Sequence, residues 1–240
     1  MRLDIYLVEH KYYDTRNKAK AAILDGKILV NTIVVAKPNY EIKLKDVISR
    51  KQVDEYVSRG AYKLLGAIKH WQIDFDNKVV LDVGSSTGGF TDVAIQHRAK
   101  KVYAVDVGTN QLHKSLLQNP KVVSYEQTHL KDLQITMFQE HIDIVVADIS
   151  FISLTKLIDK LMTLFDYSYH CIFLIKPEFE LSAKEIDKGK VKTKKLLEKA
   201  INKIRNYSEL NNFKIFGVIE SPIKGSKANN TEYLIYMEKQ

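Results

Sequence analysis

The chain has 240 residues, enough for one sizeable core and a small second domain, and its 45% hydrophobic content is ordinary for a globular protein. Its formal net charge of +8 favours a polyanionic partner, and its single cysteine, Cys171, excludes an intrachain disulfide and reads as a packed strand residue. No apolar stretch approaches the roughly 20 residues that span a bilayer, and the N-terminus lacks a signal-type apolar core, so a reducing, cytoplasmic setting without a membrane partner is expected.

The first fifty residues read as a separate α+β unit. Thr15 is placed to cap a helix over Arg16–Leu24, with Gly26 to end it. Ile28–Val30, the turn Asn31-Thr32 and Ile33–Val35 predict a hairpin closed by Lys37-Pro38, and a last strand is expected over Glu41–Leu44. A helix carrying Arg16, Lys18 and Lys20 beside a hairpin suits phosphates and a groove shape, while the charge spacing alone fits a solvated helix face better. Met1-Arg2-Leu3-Asp4, Thr15-Arg16-Asn17-Lys18-Ala19, Gly26-Lys27-Ile28-Leu29-Val30-Asn31 and Lys37-Pro38 resemble the alpha-L RNA-binding motif of a ribosomal small-subunit protein and several RNA-modifying enzymes. That resemblance covers residues 1–48 and implies RNA contacts from Arg2, Arg16, Lys18, Lys20 and Lys37. Asn31-Thr32 stands where the motif usually has Asn-Gly, so a longer or strained turn is expected. Residues 49–57, with Arg50 and Lys51, are expected to link this unit to the rest.

From Asn77 onward apolar runs of strand length alternate with helical patterns, which predicts an α/β doubly wound, Rossmann-like sheet of seven strands with helices on both faces. The strands are expected at Lys78–Val83, Lys101–Val107, Val122–Tyr125, Ile142–Ala147, His170–Ile175, Phe213–Ile219 and Tyr233–Met237. In such sheets ligands lie beyond the carboxyl ends of the strands, where Gly84, Asp106, Asp148 and Lys176 fall.

The turn Gly84-Ser85-Ser86-Thr87-Gly88-Gly89 lacks the Gly-x-Gly-x-x-Gly spacing for a pyrophosphate and the Lys-Ser/Thr of a P-loop. Asp82 with these glycines suits the amino-acid end of S-adenosylmethionine, whose ammonium a carboxylate can hold. Asp106 is placed to accept from ribose hydroxyls, a role that serves NAD equally well. A tight turn without any ligand fits the same residues. Lys63, Asp148, Lys176 and Glu232 each border a predicted element, and together they fit methyl transfer to a ribose hydroxyl. Lys176 leaves an apolar strand at the ligand edge and is the candidate base; its pKa would have to fall from about 10.4 toward neutrality. Lys63 would add a second positive charge, Asp148 would orient Lys176, and Glu232 would complete the network. No His, Cys or carboxylate grouping has metal-site spacing, so no metal is expected.

Ser58-Arg59-Gly60-Ala61-Tyr62-Lys63-Leu64, Leu81 through Asp92, Ala104-Val105-Asp106-Val107-Gly108, Asp148 through Leu154 and Lys176-Pro177-Glu178-Phe179-Glu180 resemble the hemolysin A (TlyA-type) ribosomal RNA methyltransferases, FtsJ-like enzymes with an N-terminal RNA-binding domain. The resemblance spans the whole chain and includes Ser221–Gly225 and Asn230–Tyr233. It implies an FtsJ-like methyltransferase domain over 58–240 that carries 2′-O-methylation of cytidine in ribosomal RNA, on naked RNA or ribosomal subunits. The catalytic tetrad would be Lys63, Asp148, Lys176 and Glu232, with Asp82, Gly84, Ser85, Gly88, Gly89, Phe90 and Asp106 on the cofactor and Arg59 on RNA. Lys188-Gly189 has one glycine where the family often has a pair, and Asn229 replaces a usual glycine.

Lysines crowd residues 184–203. The loop from Lys184 to Lys192 is expected to meet phosphates, and the helix with Leu196, Leu197, Ala200, Ile201 and Ile204 on its apolar stripe to point its lysines to solvent. Two other readings remain: a non-catalytic RNA-binding assembly module, and a membrane-active hemolysin, for which no strongly amphipathic apolar helix is seen.

Overall fold

The computed structural model describes residues 1–50, 56–225 and 229–240. The chain forms two compact units, Met1–Glu55 and Tyr56–Gln240. In the first, helices α1 (Leu3–Glu9) and α2 (Arg16–Leu24) accompany a three-stranded sheet of β1 (Ile28–Val30), β2 (Ile33–Val34) and β3 (Ile48–Arg50), ordered β2-β1-β3. The Thr15 hydroxyl accepts the Lys18 N–H at the start of α2, as its N-cap position dictates. Leu3, Leu7, Ala19, Ile23, Ile28, Val30 and Ile48 form the core of this unit.

The turn between β1 and β2 has only two residues, both left-handed, with Asn31 at φ 51° and Thr32 at φ 71°. A primed turn matches the right-handed strand twist, so β-branched Thr32 occupies a position that favours glycine. The expected strand over Glu41–Leu44 does not form. Glu41 makes one isolated bridge to Arg2, Asp46 folds a turn back onto Lys43, and Leu44 is fully exposed. Ile48, the buried residue, carries the pairing with β1 instead. Ser49 and Arg50, read as the start of the linker, therefore end β3, and the Arg50 guanidinium lies over the Tyr12 and Tyr13 rings. Residues 51–55 of that linker, Lys51 included, lie outside the described residues.

The second unit is a seven-stranded sheet ordered β6-β5-β4-β7-β8-β10-β9, made of β4 (Val79–Val83), β5 (Lys101–Val105), β6 (Val122–Tyr125), β7 (Ile144–Ala147), β8 (His170–Ile175), β9 (Phe213–Glu220) and β10 (Tyr233–Lys239). The five strands from β6 to β8 run parallel, and β10 is antiparallel to both β8 and β9. Period-two alternation sends Val79, Leu81 and Val83 into one core and Val80 into the other. The first core is covered by α6 (Leu154–Leu164) and α8 (Lys194–Leu210), the second by α3 (Ala61–Trp71) and α4 (Gly89–Gln96). Two short helices, α5 (Lys114–Leu117) and α7 (Pro177–Glu180), complete the fold. Cys171 is buried in β8, where burial pushes its thiol well above the usual range.

The α8 lysines are exposed, as expected, and two of them also pair with carboxylates. Lys203 Nζ reaches the Glu180 carboxylate at 3.0 Å, and Lys199 reaches Glu185 at 2.6 Å, because both stand over α7 and the segment after it. Buried Glu180 also accepts the Leu154 N–H and so ties α7 to the start of α6. In the loop, Lys192 pairs with Asp187, and Asn230 holds Gly189 O at 2.7 Å and the Val191 N–H at 3.3 Å.

Candidate active site

The order in which the chain adds strands switches sides between the parallel neighbours β4 and β7, and their carboxyl ends open into a cleft of about 480 Å3, within the usual range for small-molecule sites. Gly84 ends β4 there at φ 80°, and a Cβ on it would lie 3.2 Å from the Asp148 carbonyl oxygen. The two strand ends therefore approach as closely as only glycine allows.

Lys63, Asp148, Lys176 and Glu232 all line this cleft. Asp148 follows β7 and Lys176 follows β8, so both leave the sheet at its carboxyl edge. Glu232 precedes β10, whose antiparallel course and Tyr233↔Ile175 register return it to the same edge. Lys63 enters from the first turn of α3. Lys176 Nζ lies 2.6 Å from Asp148 Oδ1 and donates to Ser150 Oγ at 2.7 Å. Lys63 Nζ lies 3.0 Å from Asp148 Oδ2 and 2.8 Å from Glu232 Oε2. One carboxylate thus bridges two ammonium groups, and Lys63 bridges two carboxylates.

The charges follow from burial and pairing. Burial alone would push Asp148 up, yet the Lys176 and Lys63 charges hold it below the usual carboxylate range. Burial works against the Lys63 ammonium, but Asp148 and Glu232 outweigh it and raise the lysine above its ordinary value. For Glu232 the balance falls the other way. Its burial, 3% exposed, exceeds the pull of Lys63, and the carboxyl sits above its usual range.

The glycine turn forms the second half of the cleft. Buried Asp82 accepts the Thr91 hydroxyl on Oδ2 at 2.6 Å, while Oδ1 is enclosed and has no hydrogen-bond partner among the described residues. Burial, with Asp148 adding like charge, pushes Asp82 up to about 7. Gly84, Ser85, Gly89 and Phe90 line the cleft beside it. Gly88 caps α4 at φ 95° below Leu112 and Leu116 and is not itself among the lining residues. Asp106 also stands outside the lining. Its oxygens accept the Ser86 and Gly108 N–H groups, each at 2.7 Å, so its present work is to brace the turn.

Arg59 is exposed at the rim of the same cleft. In the N-terminal unit Arg2 and Arg16 converge on buried Asp4, at 3.0 and 2.9 Å, and their remaining surface faces solvent. The two arginines hold Asp4 below its usual range despite its burial. Lys18 pairs with exposed Asp14 one turn earlier, Lys20 is half-buried, and Lys37 is exposed. Residue-by-residue reasoning left out Thr91, Ser150 and Lys224, the last also lining the cleft. Ser150 lies two residues after Asp148 just beyond β7, and both line the cleft, so its closeness to Asp148 in sequence was the available signal.

Residues 56–239 match the FtsJ-like methyltransferase family, and residues 1–48 match the S4 domain. The chain belongs to the FtsJ-like methyltransferases. This methyltransferase is 40% identical over 242 residues to Hemolysin A of Brachyspira hyodysenteriae, covering 98% of this chain and 99% of the relative. It is 33% identical over 263 residues to the 23S rRNA (cytidine-2′-O)-methyltransferase TlyA of Campylobacter jejuni, with all of both chains covered. A solved structure from Streptococcus thermophilus, 33% identical, superposes with a TM-score of 0.76 over 100% of this chain and 88% of that one.

Proposed function

We propose that this methyltransferase acts on a ribose 2′-hydroxyl of cytidine in ribosomal RNA, with S-adenosylmethionine as cofactor and ribosomal subunits as the natural substrate. The convergence of Lys63, Asp148, Lys176 and Glu232 in one cleft carries the reading. The name of the Campylobacter relative suggests the nucleoside.

The residues present fit the cofactor. A buried carboxylate oxygen without a donor is unfavourable, and Asp82 Oδ1 is such an atom in the wall of the cleft, suited to an ammonium. Asp82, Gly84, Ser85, Gly89 and Phe90 would hold the cofactor, with Gly88 shaping the turn and Asp106 bracing it from outside the lining. When bound, the cofactor supplies an electrophilic methyl group on a sulfonium.

The chain's own residues then have defined work. Lys176 Nζ, after yielding one proton of its ammonium to solvent, receives the proton of the 2′-hydroxyl, and Asp148 and Ser150 aim that nitrogen. Lys63 occupies the other oxygen of Asp148, so the carboxylate charge is shared and not committed to Lys176 alone. Glu232 fixes Lys63 from the opposite side. Holding four groups on four elements of one sheet edge keeps the hydroxyl aligned for in-line attack. Residues 1–48 bind RNA by shape and phosphate through Arg2, Arg16, Lys18, Lys20 and Lys37, and Arg59 meets the strand entering the cleft. The domain from 58 to 240 carries the chemistry.

The test is transfer of labelled methyl to purified ribosomal subunits of both sizes. Label is expected in alkali-resistant RNA positions, since a 2′-O-methyl group blocks cleavage there, and should disappear with Lys176→Ala. Label on bases, or undiminished transfer by Lys176→Ala, would refute the reading. The Brachyspira relative's name motivates one rival, membrane lysis. Among the described residues no helix is long and apolar enough to cross a membrane, and leakage from liposomes at nanomolar protein would support that rival.

A further inference from the structure

We propose that Thr91 is a positioning residue for cofactor binding: by donating its hydroxyl to Asp82 Oδ2 it fixes the carboxylate so that Oδ1 stays free for the cofactor ammonium. The proposal rests on the cofactor reading above. Thr91 is fully buried on α4, and Asp82 is buried at the end of β4, so neither side chain is placed for the sake of solvent. A hydroxyl can rotate to either carboxylate oxygen, yet here it takes one at 2.6 Å and leaves the other with no partner among the described residues. A buried helix residue with an apolar isostere available is usually apolar. Keeping a donor here, against a carboxylate that lines the cleft, points to control of that carboxylate.

The electrostatics make the arrangement measurable. Asp148 beyond β7 and Asp106 beyond β5 both add negative charge near Asp82, and Lys63, Lys176 and Glu232 from α3, β8 and β10 share the cleft but are engaged with Asp148 or each other. Burial pushes Asp82 up to about 7, and the Thr91 hydroxyl, with a smaller pull from the Thr91 backbone N–H, opposes that push. An ammonium pairs with the ionised carboxylate. Binding therefore weakens as pH falls through that value and releases a proton from the fraction that was neutral.

The experiment is calorimetric titration of the full chain with S-adenosylhomocysteine between pH 5.5 and 8.5, in two buffers of different ionisation enthalpy. For the natural protein, affinity should rise with pH to a midpoint near 7, with about half a proton released at pH 7. Thr91→Val removes the hydroxyl donor at nearly constant volume and keeps the backbone N–H. It should raise the midpoint by about one unit, weaken binding about fivefold at pH 7 and bring proton release to about 0.9. Thr91→Ser keeps the hydroxyl and should keep the natural midpoint even where it lowers the Tm. 5′-Methylthioadenosine, which lacks the ammonium, should bind all three proteins alike at every pH. A Thr91→Val protein with the natural midpoint overturns the proposal, as does equal loss of both ligands. If the natural protein binds S-adenosylhomocysteine at no pH, the cofactor reading itself falls, and the role of Thr91 with it.

Discussion

Replacing Lys63 with methionine tests whether the ion network is held together by that residue. The methionine keeps most of the aliphatic stem but removes the charge that sits between Asp148 and Glu232. Asp148 keeps Lys176 at 2.6 Å, so it loses little. Glu232, 3% exposed, loses the ammonium 2.8 Å away, and a buried charge deprived of its partner costs about 3 to 5 kcal/mol. The sign with pH follows from the carboxyl being held above its usual value in the folded state: ionising it lowers stability as pH rises through that raised value. Without Lys63, whose hydrogen bond and charge pull it down, the value climbs further and the cost at pH 8 grows. Lowering the pH to 5 favours the protonated carboxyl, and the loss shrinks toward about 1 kcal/mol, that of one hydrogen bond. Urea unfolding at both pH values measures this. Lys63→Met should lose about 3 kcal/mol at pH 8, and adding Glu232→Gln should recover at least half of it. A single variant as stable as the natural protein at pH 8, or a double variant whose losses simply add, would refute the hub role. Methyl transfer should vanish in both variants.

Thr32→Gly should stabilise the N-terminal unit by about 1 kcal/mol, because the residue at φ 71° no longer carries a branched Cβ; thermal unfolding reads this, and an unchanged or lowered Tm would contradict it. The same unit should lose stability as pH falls below about 3.8, through the depressed value of Asp4, because the ionised form paired with Arg2 and Arg16 is the stabilising one. Asp4→Asn should be less stable at neutral pH and lack that acid slope. Arg59→Ala and Lys37→Ala should each weaken ribosomal RNA binding and reduce the magnitude of its log–log salt slope by about 0.7 to 0.9 with little change in Tm. Arg16→Ala should lower the Tm as well, since Arg16 also anchors Asp4; filter binding across a salt series separates the two cases.

The central strands β4, β5, β7 and β8 left a mark in the sequence because a strand buried on both faces is a run of apolar residues, whereas the edge strands β6 and β9 are only partly buried, and the errors at Val107 and Ile142 are those of where pairing stops. The N-terminal unit was harder. Leu44 looks like a strand residue but projects fully into solvent from a turn, whereas of the adjacent Val47 and Ile48 only Ile48 is buried, and it pairs with β1. Arg2 and Arg16 read as RNA contacts from charge, and nothing local reveals that Asp4 points inward and takes both of them. The quartet of Lys63, Asp148, Lys176 and Glu232 was visible as residues beside element ends, but which oxygen meets which ammonium depends on side-chain directions set by packing. The departures at Lys188 and Asn229 have a backbone meaning. Both stand at positive φ, 49° and 55°, where glycine is the easier residue and asparagine the better-tolerated substitute.

The position of Glu232 follows from the one reversal in the sheet. A parallel strand beside β8 would bring its carboxyl end to the cleft, and the residue before it would lie at the far edge. Because β10 runs antiparallel, the residue that precedes it arrives opposite the one that follows β8, and the pairing Tyr233↔Ile175 puts Glu232 across from Lys176 and within reach of Lys63. That register is fixed elsewhere in the strand. Leu234 faces the core under α3 and α4 while Ile235 and Met237 face the one under α6 and α8, and all three are fully buried. A slip by one residue would exchange these faces along the whole strand. The packing that secures β10 against two different cores is therefore what holds the fourth charged group in the cleft, and the ion network inherits its geometry from the sheet and not from the loop that carries Glu232.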